Sequence, residues 1–366
     1  MNIILASFGI LAASLMNVAQ AATPLGLPPV PVPKNNPVTP AKVSLGDKLF
    51  HDKRFSADGT VSCSTCHDRS KAFTDSPLKV SEGIKKLTGT RNAPTVVNAA
   101  YMHSQFWDGR EPDLEGQSAG PFINPVEMGL KNHQPILKIV RSDPEYRKLF
   151  KQAFKKSGKG IKLRHVQMAI ASFERTIISG NSPFDRYYFA GDKDAMSDKA
   201  LRGFKVFLEQ GRCVSCHTIS QTHALFSDSR FHNLGIGFER INKDVKELAS
   251  AYRKAKQKGI DVDVEVLTNK NTSELGRFVV STESRDMGSF KTPTLRNIAK
   301  TAPYMHDGSL ETLKEVVKFY NNGGRVSDSD PTFDFQSGGI RPLKLDDAQI
   351  DDLVAFLEAL TSPEYQ

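Results

Sequence analysis

Apolar residues recur at helical spacing along two stretches of the chain. Val166, Ala169, Ile170, Phe173 and Ile177 keep the i, i+3, i+4, i+7 register of a helix with one buried face. Ile350, Leu353, Val354, Leu357 and Leu360 repeat it near the C-terminus. Just ahead of that second run, Asp346 and Gln349 are spaced as an N-cap and its N3 partner, each able to satisfy the other's backbone amide. The similarity extends beyond this pair. Leu45-Gly46-Asp47-Lys48-Leu49-Phe50 has a counterpart in Leu201-Arg202-Gly203-Phe204-Lys205-Val206-Phe207. Pro94-Thr95-Val96-Val97-Asn98-Ala99-Ala100 parallels Pro293-Thr294-Leu295-Arg296-Asn297-Ile298-Ala299, and Phe106-Trp107-Asp108-Gly109 parallels Met305-His306-Asp307-Gly308. The pattern predicts a mainly α protein made of a duplicated unit, with halves at about 43–192 and 193–366.

Three segments break the repeat. Residues 1–22 carry no Lys, Arg, Asp or Glu, and Ile3 to Met16 is a mostly apolar run followed by Ala19-Gln20-Ala21. This reads as a signal peptide over 1–21, too short for a comfortable membrane span. A retained anchor is the alternative, because the basic n-region is missing. Thr23 to Pro40 is proline-rich and predicts an extended leader over 22–42. In the second half, roughly Asn242 to Thr272 is a polar, Lys-rich insertion, expected as a surface excursion with no role assigned, extra packing or a mobile loop being the plainer alternative.

All four cysteines fall in two copies of one motif, Cys63-Ser64-Thr65-Cys66-His67 and Cys213-Val214-Ser215-Cys216-His217. Cys-x-x-Cys-His is the pattern of covalent c-type haem attachment. Each thiol adds across a haem vinyl group, and the adjoining histidine binds the iron. Two redox dithiols or one four-cysteine zinc site would leave the histidine after both pairs unexplained. The duplicated unit is therefore expected to be a cytochrome c-like domain carrying one haem c in each half. Haem c is attached outside the cytoplasm, which agrees with the signal peptide and predicts a soluble bacterial periplasmic protein. Lys and Arg number 49 against 41 Asp and Glu, a formal charge of +8. Four haem propionates would leave the holoprotein mildly basic, suited to docking an acidic electron donor. No basic cluster interleaves with aromatics, so nucleic acid is not indicated.

The second axial ligand decides what such a haem does: two strong ligands make an electron carrier, and an open position admits peroxide or oxygen. Here the segments RNAPTVVNAAYMHSQFWDGREPDLEGQSAGPFINPVEMGL (91–130) and KTPTLRNIAKTAPYMHDGSLETLKEVVKFYNNGG (291–324) become informative. They resemble the bacterial dihaem cytochrome c peroxidase and MauG family, and the similarity runs from about residue 43 to the C-terminus apart from the insertion.

The resemblance implies that the N-terminal haem is the peroxidatic one and that Glu127 moves protons during O–O cleavage. Gln117 matches the family's distal glutamine, and Phe106 and Pro121 match pocket-lining positions. Trp107, the only tryptophan in the chain, matches the residue that relays electrons between the haems. Asn92, Thr301 and Pro303 match interdomain calcium ligands, offering one side-chain and two backbone oxygens. His306 is expected near the second haem but not as a ligand.

Two departures from the family pattern matter. Many dihaem peroxidases close the peroxidatic haem with a histidine several residues before the Arg-Asn-x-Pro stretch; here Glu82 to Thr90 contains none, and Ile84 takes the position. An open iron is expected, with His103 and His133 as the only other histidines considered. The distal ligand of the C-terminal haem is methionine in ordinary members and tyrosine in MauG-type members. Tyr320 stands there, with Met287 and Met305 as competitors.

Three functions follow as expectations. One is a peroxidase, in which hydrogen peroxide reacts at the N-terminal haem and electrons come through the C-terminal haem from a small periplasmic cytochrome or cupredoxin. The alternative is a MauG-like oxidase, using a high-valent dihaem state to oxidise Trp or Tyr of a partner protein. The third is a non-enzymatic dihaem electron carrier. MauG proper has a surface tryptophan where this chain has Gly211, so its relay to the methylamine dehydrogenase precursor is not expected. Tyr187, Tyr188 and Tyr252 are unranked alternative exits. A homodimer, common in the peroxidase branch, is a further option.

Overall fold

The computed structural model describes residues 23–324 and 335–366; the expected signal peptide lies outside them. The described chain is mostly helical, with one short antiparallel pairing of Phe231–His232 with Phe290–Lys291. No described helix is long and apolar enough to cross a membrane.

The two periodic stretches form helices Leu163–Glu174 and Asp347–Glu358, each packed lengthwise against an earlier helix, Pro40–His51 and Asp198–Leu208 respectively. The repeated glycines explain how the pairs approach so closely. A Cβ on Gly46 would strike the Ala169 carbonyl, and one on Gly203 would strike the Asp352 carbonyl. One turn further on, Phe50 and Phe207 are fully buried in their respective cores, each burial worth about 2 kcal/mol. The N-cap expectation at the last helix is met. Gln349 N–H donates to Asp346 Oδ1 at 2.8 Å, and Asp346 N–H donates to Gln349 Oε1 at 3.1 Å. Both helices end one turn sooner than their apolar stripes, so Ile177 and Leu360 are buried from the connecting turns instead.

Those turns carry a second repeated device. Asn98 and Asn297 sit at φ 62° and 59°, a region asparagine tolerates. Asn98 N–H donates to the Ile177 carbonyl and Asn297 N–H to the Leu360 carbonyl. Their side-chain oxygens accept from the Ser179 and Ser362 amides at 3.0 and 2.8 Å. Asn297 Nδ2 also reaches Ser179 Oγ at 3.0 Å, tying the halves together.

The proline-rich leader is extended, but it is docked across both halves. Tyr101 OH donates to the Pro28 carbonyl at 2.9 Å, while Arg296 donates to the Gly26 carbonyl at 2.6 Å and to Asp185 on both carboxylate oxygens. Asn36, fully buried, donates to Glu115 at 2.7 Å and to the Met168 carbonyl at 2.9 Å.

The insertion corrects its expectation. Residues 242–272 do not form a surface excursion. Helices Val245–Gln257 and Val262–Thr268 join Leu275, Phe278 and Met287 in a third apolar core. The first of these helices is amphipathic. Val245, Ala249 and Tyr252 face inward, and lysines occupy the solvent side, which is why the segment reads as polar in one dimension.

Candidate functional site

Each Cys-x-x-Cys-His motif opens on its own cavity. Cys63, Cys66 and His67 line a narrow cavity of about 140 Å3; Cys213, Cys216 and His217 line a larger one of about 520 Å3. In both, the motif turns tightly so that the histidine amide donates back to the first cysteine's carbonyl. His67 Nδ1–H then donates to the Phe73 carbonyl at 3.1 Å, and His217 Nδ1–H to the Phe226 carbonyl at 2.8 Å. A carbonyl can only accept, so the proton sits on Nδ1 and Nε2 is left with its lone pair. Burial lowers the proton affinity of both imidazoles and keeps them neutral, the form that binds a metal.

These residues fit covalently attached haem. Two thiols and a neutral, tautomer-locked imidazole meet at each cavity wall. Burial pushes the Cys66 and Cys213 thiols up to about 12, so both stay protonated at neutral pH. Lys291, at the wall of the second cavity, is lowered to about 8 by burial; it donates to the Ser104 carbonyl at 2.5 Å and makes no ion pair among the described residues. A buried amine in that state suits a haem propionate.

The wall between the cavities is the segment 92–107, with Asn92, Ala93, Gln105, Phe106 and Trp107 exposed to both sides. Phe106 and Met305 adopt φ 65° and 75° at the matching turns of the repeat. Trp107 Nε1–H donates to the Asn92 carbonyl at 2.9 Å, and the Asn92 amide donates to the His306 carbonyl at 2.8 Å. The only indole thus sits against both cavities. Asn92, Thr301 and Pro303 all line the larger cavity; the Asn92 Nδ2 donates to the Leu78 and Lys79 carbonyls.

Glu127, Gln117, Phe106 and Pro121 all line the first cavity. Glu127 Oε2 is sealed from solvent and has no hydrogen-bond partner. Burial, aided by Asp263 and opposed by Arg110, pushes this carboxyl up to about 8. Among the described lining residues His67 is the only histidine. Ile84 is buried, its amide donating to the Glu127 carbonyl at 2.8 Å. His133 bonds the Ala119 carbonyl instead, and neither it nor His103 lines the cavity.

On the second cavity, Tyr320 and Met305 both line the wall with His217. Tyr320 comes from the helix Leu313–Asn321 and packs edge-on to Phe319; burial raises its phenol well above the ordinary value. Met287 belongs to the third apolar core and does not reach the cavity. His306 and His232 line it too, but their Nε2 atoms are engaged by Glu274 at 3.0 Å and Asp228 at 2.8 Å.

Sequence reasoning missed Glu174, Asp108, Arg110 and Asp263. Glu174 lines the first cavity with an unpartnered Oε2, and burial pushes it to about 8. A signal existed, because Glu174 falls four residues after Ile170 on the apolar stripe. Arg110 pairs with the buried Asp108 at 3.1 Å and lies 3.5 Å over the Phe106 ring; both adjoin the Phe106-Trp107-Asp108-Gly109 motif. Asp263 has no sequence signal, being one more acid in a polar insertion. The three tyrosines also separate. Tyr252 is buried with its OH donating to the Val279 carbonyl, Tyr187 is half-buried, and Tyr188 is 43% exposed and stacked on Phe184.

A profile of the di-haem cytochrome c peroxidase family matches residues 40–194. The cytochrome-c peroxidase IdrP1 of Denitromonas iodatirespirans is 37% identical over 93% of this chain and 87% of its own length. The chain belongs to the di-haem cytochrome c peroxidase family. Members of this family are cytochrome-c peroxidases and MauG-type oxidoreductases, so the chain is an oxidoreductase with two haem c sites. The methylamine utilization protein MauG of Methylorubrum extorquens is 35% identical over 90% of the chain and 81% of its own length. The crystal structure of a MauG-like protein associated with microbial copper homeostasis superimposes with a TM-score of 0.75 at 32% identity, over 94% of this chain and 98% of that one. The di-haem family assignment thus rests on both halves, although the profile covers only the first.

Proposed function

We propose that this chain is a periplasmic dihaem peroxidase that reduces hydrogen peroxide at the His67 haem, with electrons supplied through Trp107 and the His217 haem. The haem supplies the metal centre that binds peroxide and exchanges electrons. The chain's own residues supply the protons and the geometry. Reducing hydrogen peroxide to two waters consumes two electrons and two protons. Heterolysis also moves one proton from the near oxygen to the leaving oxygen. A protonated carboxyl at Glu127 can give its O–H proton to the leaving oxygen and take the near oxygen's proton on its other oxygen, with Gln117 orienting the substrate by hydrogen bonding. The observation that carries this reading is the unpartnered Glu127 Oε2 in a cavity whose described lining holds no second histidine. Ile84 cannot ligate iron, so no reductive opening of the site is required. The donor would be a small c-type cytochrome or cupredoxin. Asn92, Thr301 and Pro303 would hold one Ca2+, keeping the wall between the cavities in register.

Tyr320 favours a second reading. A phenolate is a hard anionic donor that lowers a haem's potential and favours its oxidised states. That suits a MauG-like oxidase acting on Trp or Tyr of a partner protein, with Tyr188 as the most exposed of the three candidate exits.

The test is stoichiometric hydrogen peroxide added to the fully oxidised holoprotein, followed from the Soret band into the near infrared. Prompt reaction without prior reduction is expected. A near-infrared band from coupled haems would select the MauG-like reading; turnover with a reduced cytochrome and no such band would select the peroxidase. Inertness until one electron is added would overturn the open site.

A further inference from the structure

The insertion does more than fill a third core. Asp263, near the start of the helix Val262–Thr268, reaches across to the wall of the first cavity. Arg110 Nε–H and an NH2 proton donate to Asp263 Oδ1 at 2.8 and 2.7 Å, and Asn124 Nδ2 donates to Oδ2 at 2.8 Å. The remaining Arg110 nitrogen, NH1, is taken by Asp108 at 3.1 and 3.2 Å. Every guanidinium nitrogen is therefore engaged by a carboxylate other than Glu127. Asn124 opens the tight turn that ends on Glu127, whose amide donates to the Asn124 carbonyl at 3.2 Å. One side chain thus grips both the cation beside Glu127 and the loop that presents it.

We propose that Asp263 is a positioning residue of the first-half site: it occupies Arg110, anchors the Asn124–Glu127 turn, and so keeps Glu127 a proton donor at neutral pH. This rests on the proposed role of Glu127. The charged groups around Glu127 set the sign. Arg110 alone would favour the carboxylate. Asp108 behind it is shared with Arg91, whose NH1 donates at 3.1 Å. Glu174, itself a buried carboxyl, and the neutral His67 also line the cavity. Glu111 lies further out beside Arg110. Asp263 adds a negative charge and neutralises Arg110, and both actions oppose ionisation of Glu127.

The test uses oxidised holoprotein in four forms: unsubstituted, E127Q, D263N and D263E. The protonated-carboxyl infrared band that disappears in E127Q is titrated across the neutral and alkaline range, and the pH profile of the peroxide reaction is measured beside it. In D263N the midpoint of that band is expected to fall by about one pH unit, with the alkaline limb of the peroxide profile falling in step; D263E should restore both. If D263N loads haem poorly, D263S removes the same charge at this half-buried position. A uniform loss of rate in D263N or D263S with an unmoved midpoint would assign Asp263 a packing role only and overturn the inference, leaving Glu127 intact. A peroxide profile whose alkaline limb is the same in E127Q as in the unsubstituted protein would overturn the Glu127 reading itself.

Discussion

In the first half, a histidine locked by the Phe73 carbonyl faces a cavity lined by two buried carboxyls, Glu127 and Glu174, each with an unpartnered oxygen. In the second half, a histidine locked by the Phe226 carbonyl faces a cavity lined by two tyrosines, two methionines and two histidines whose Nε2 atoms are already bonded. The helix pairs, the close-packed glycines, the asparagine turns and the histidine tautomers are shared. What differs is the chemistry of the opposite wall. A carboxyl held protonated by burial can give and take a proton; a buried phenol would change the potential of an iron that it ligated. The duplication supplied two similar scaffolds whose cavity walls carry different side chains, carboxyls in one and phenols beside histidines in the other.

Removing the proton handler should give the largest effect. E127Q keeps the shape of the first cavity and is expected to lower the rate of reaction with peroxide by about two to four orders of magnitude, measured by stopped flow on the oxidised protein. An unchanged rate would erase the functional distinction between the halves. The next effect tests the other wall. Y320M is expected to raise the potential of the second haem by a sizeable part of the roughly 0.8 V range that axial ligands span, read by spectroelectrochemical titration. A potential that does not move would mean that Tyr320 packs without ligating. Ionisation of Glu127 then gives the pH dependence of the first site. The acid form is present below about 8, so the proton-donating step should weaken as pH rises through that value.

Two smaller effects bear on the scaffold. G46A and G203A are each expected to cost about 1–3 kcal/mol by forcing a helix pair apart, measured by chemical denaturation. Markedly unequal losses would show that the two crossings are not equivalent. Glu174 should leave a signature in stability. Its folded value of about 8 lies above the ordinary 4.5, so the native state holds a proton that the unfolded state releases across that window. Stability therefore falls as pH rises between those values. E174Q should remove this decline and raise the melting temperature at alkaline pH by about 2–4 °C.

Much of the scaffold was legible because its causes are local. Asp346 and Gln349 cap a helix from three residues apart, and the apolar stripes mark the faces that pack. Asn98 and Asn297 stand in matching positions because each half needs the same left-handed turn. The extent of the helices was overread. Ile177 and Leu360 continue the stripe but are buried from turns, since an apolar residue answers to the core and not to the helix. The insertion was misread for a related reason: the lysines on one face of Val245–Gln257 outweigh Val245, Ala249 and Tyr252 in composition, although those three decide where the helix sits.

The sequence by itself determined the two Cys-x-x-Cys-His motifs, the duplication and the presence of Glu127 and Tyr320 at positions where the two halves differ. Covalent attachment needs its thiols and its imidazole within a few residues, and that geometry is written in one dimension. Only the tertiary structure decided that Trp107 stands against both cavities, that Glu174 is a buried carboxyl beside the first, and that Asp263, 153 residues from Arg110, takes hold of it. Desolvation and charge act through space, so the proton affinity of Glu127 depends on which distant segments fold over it.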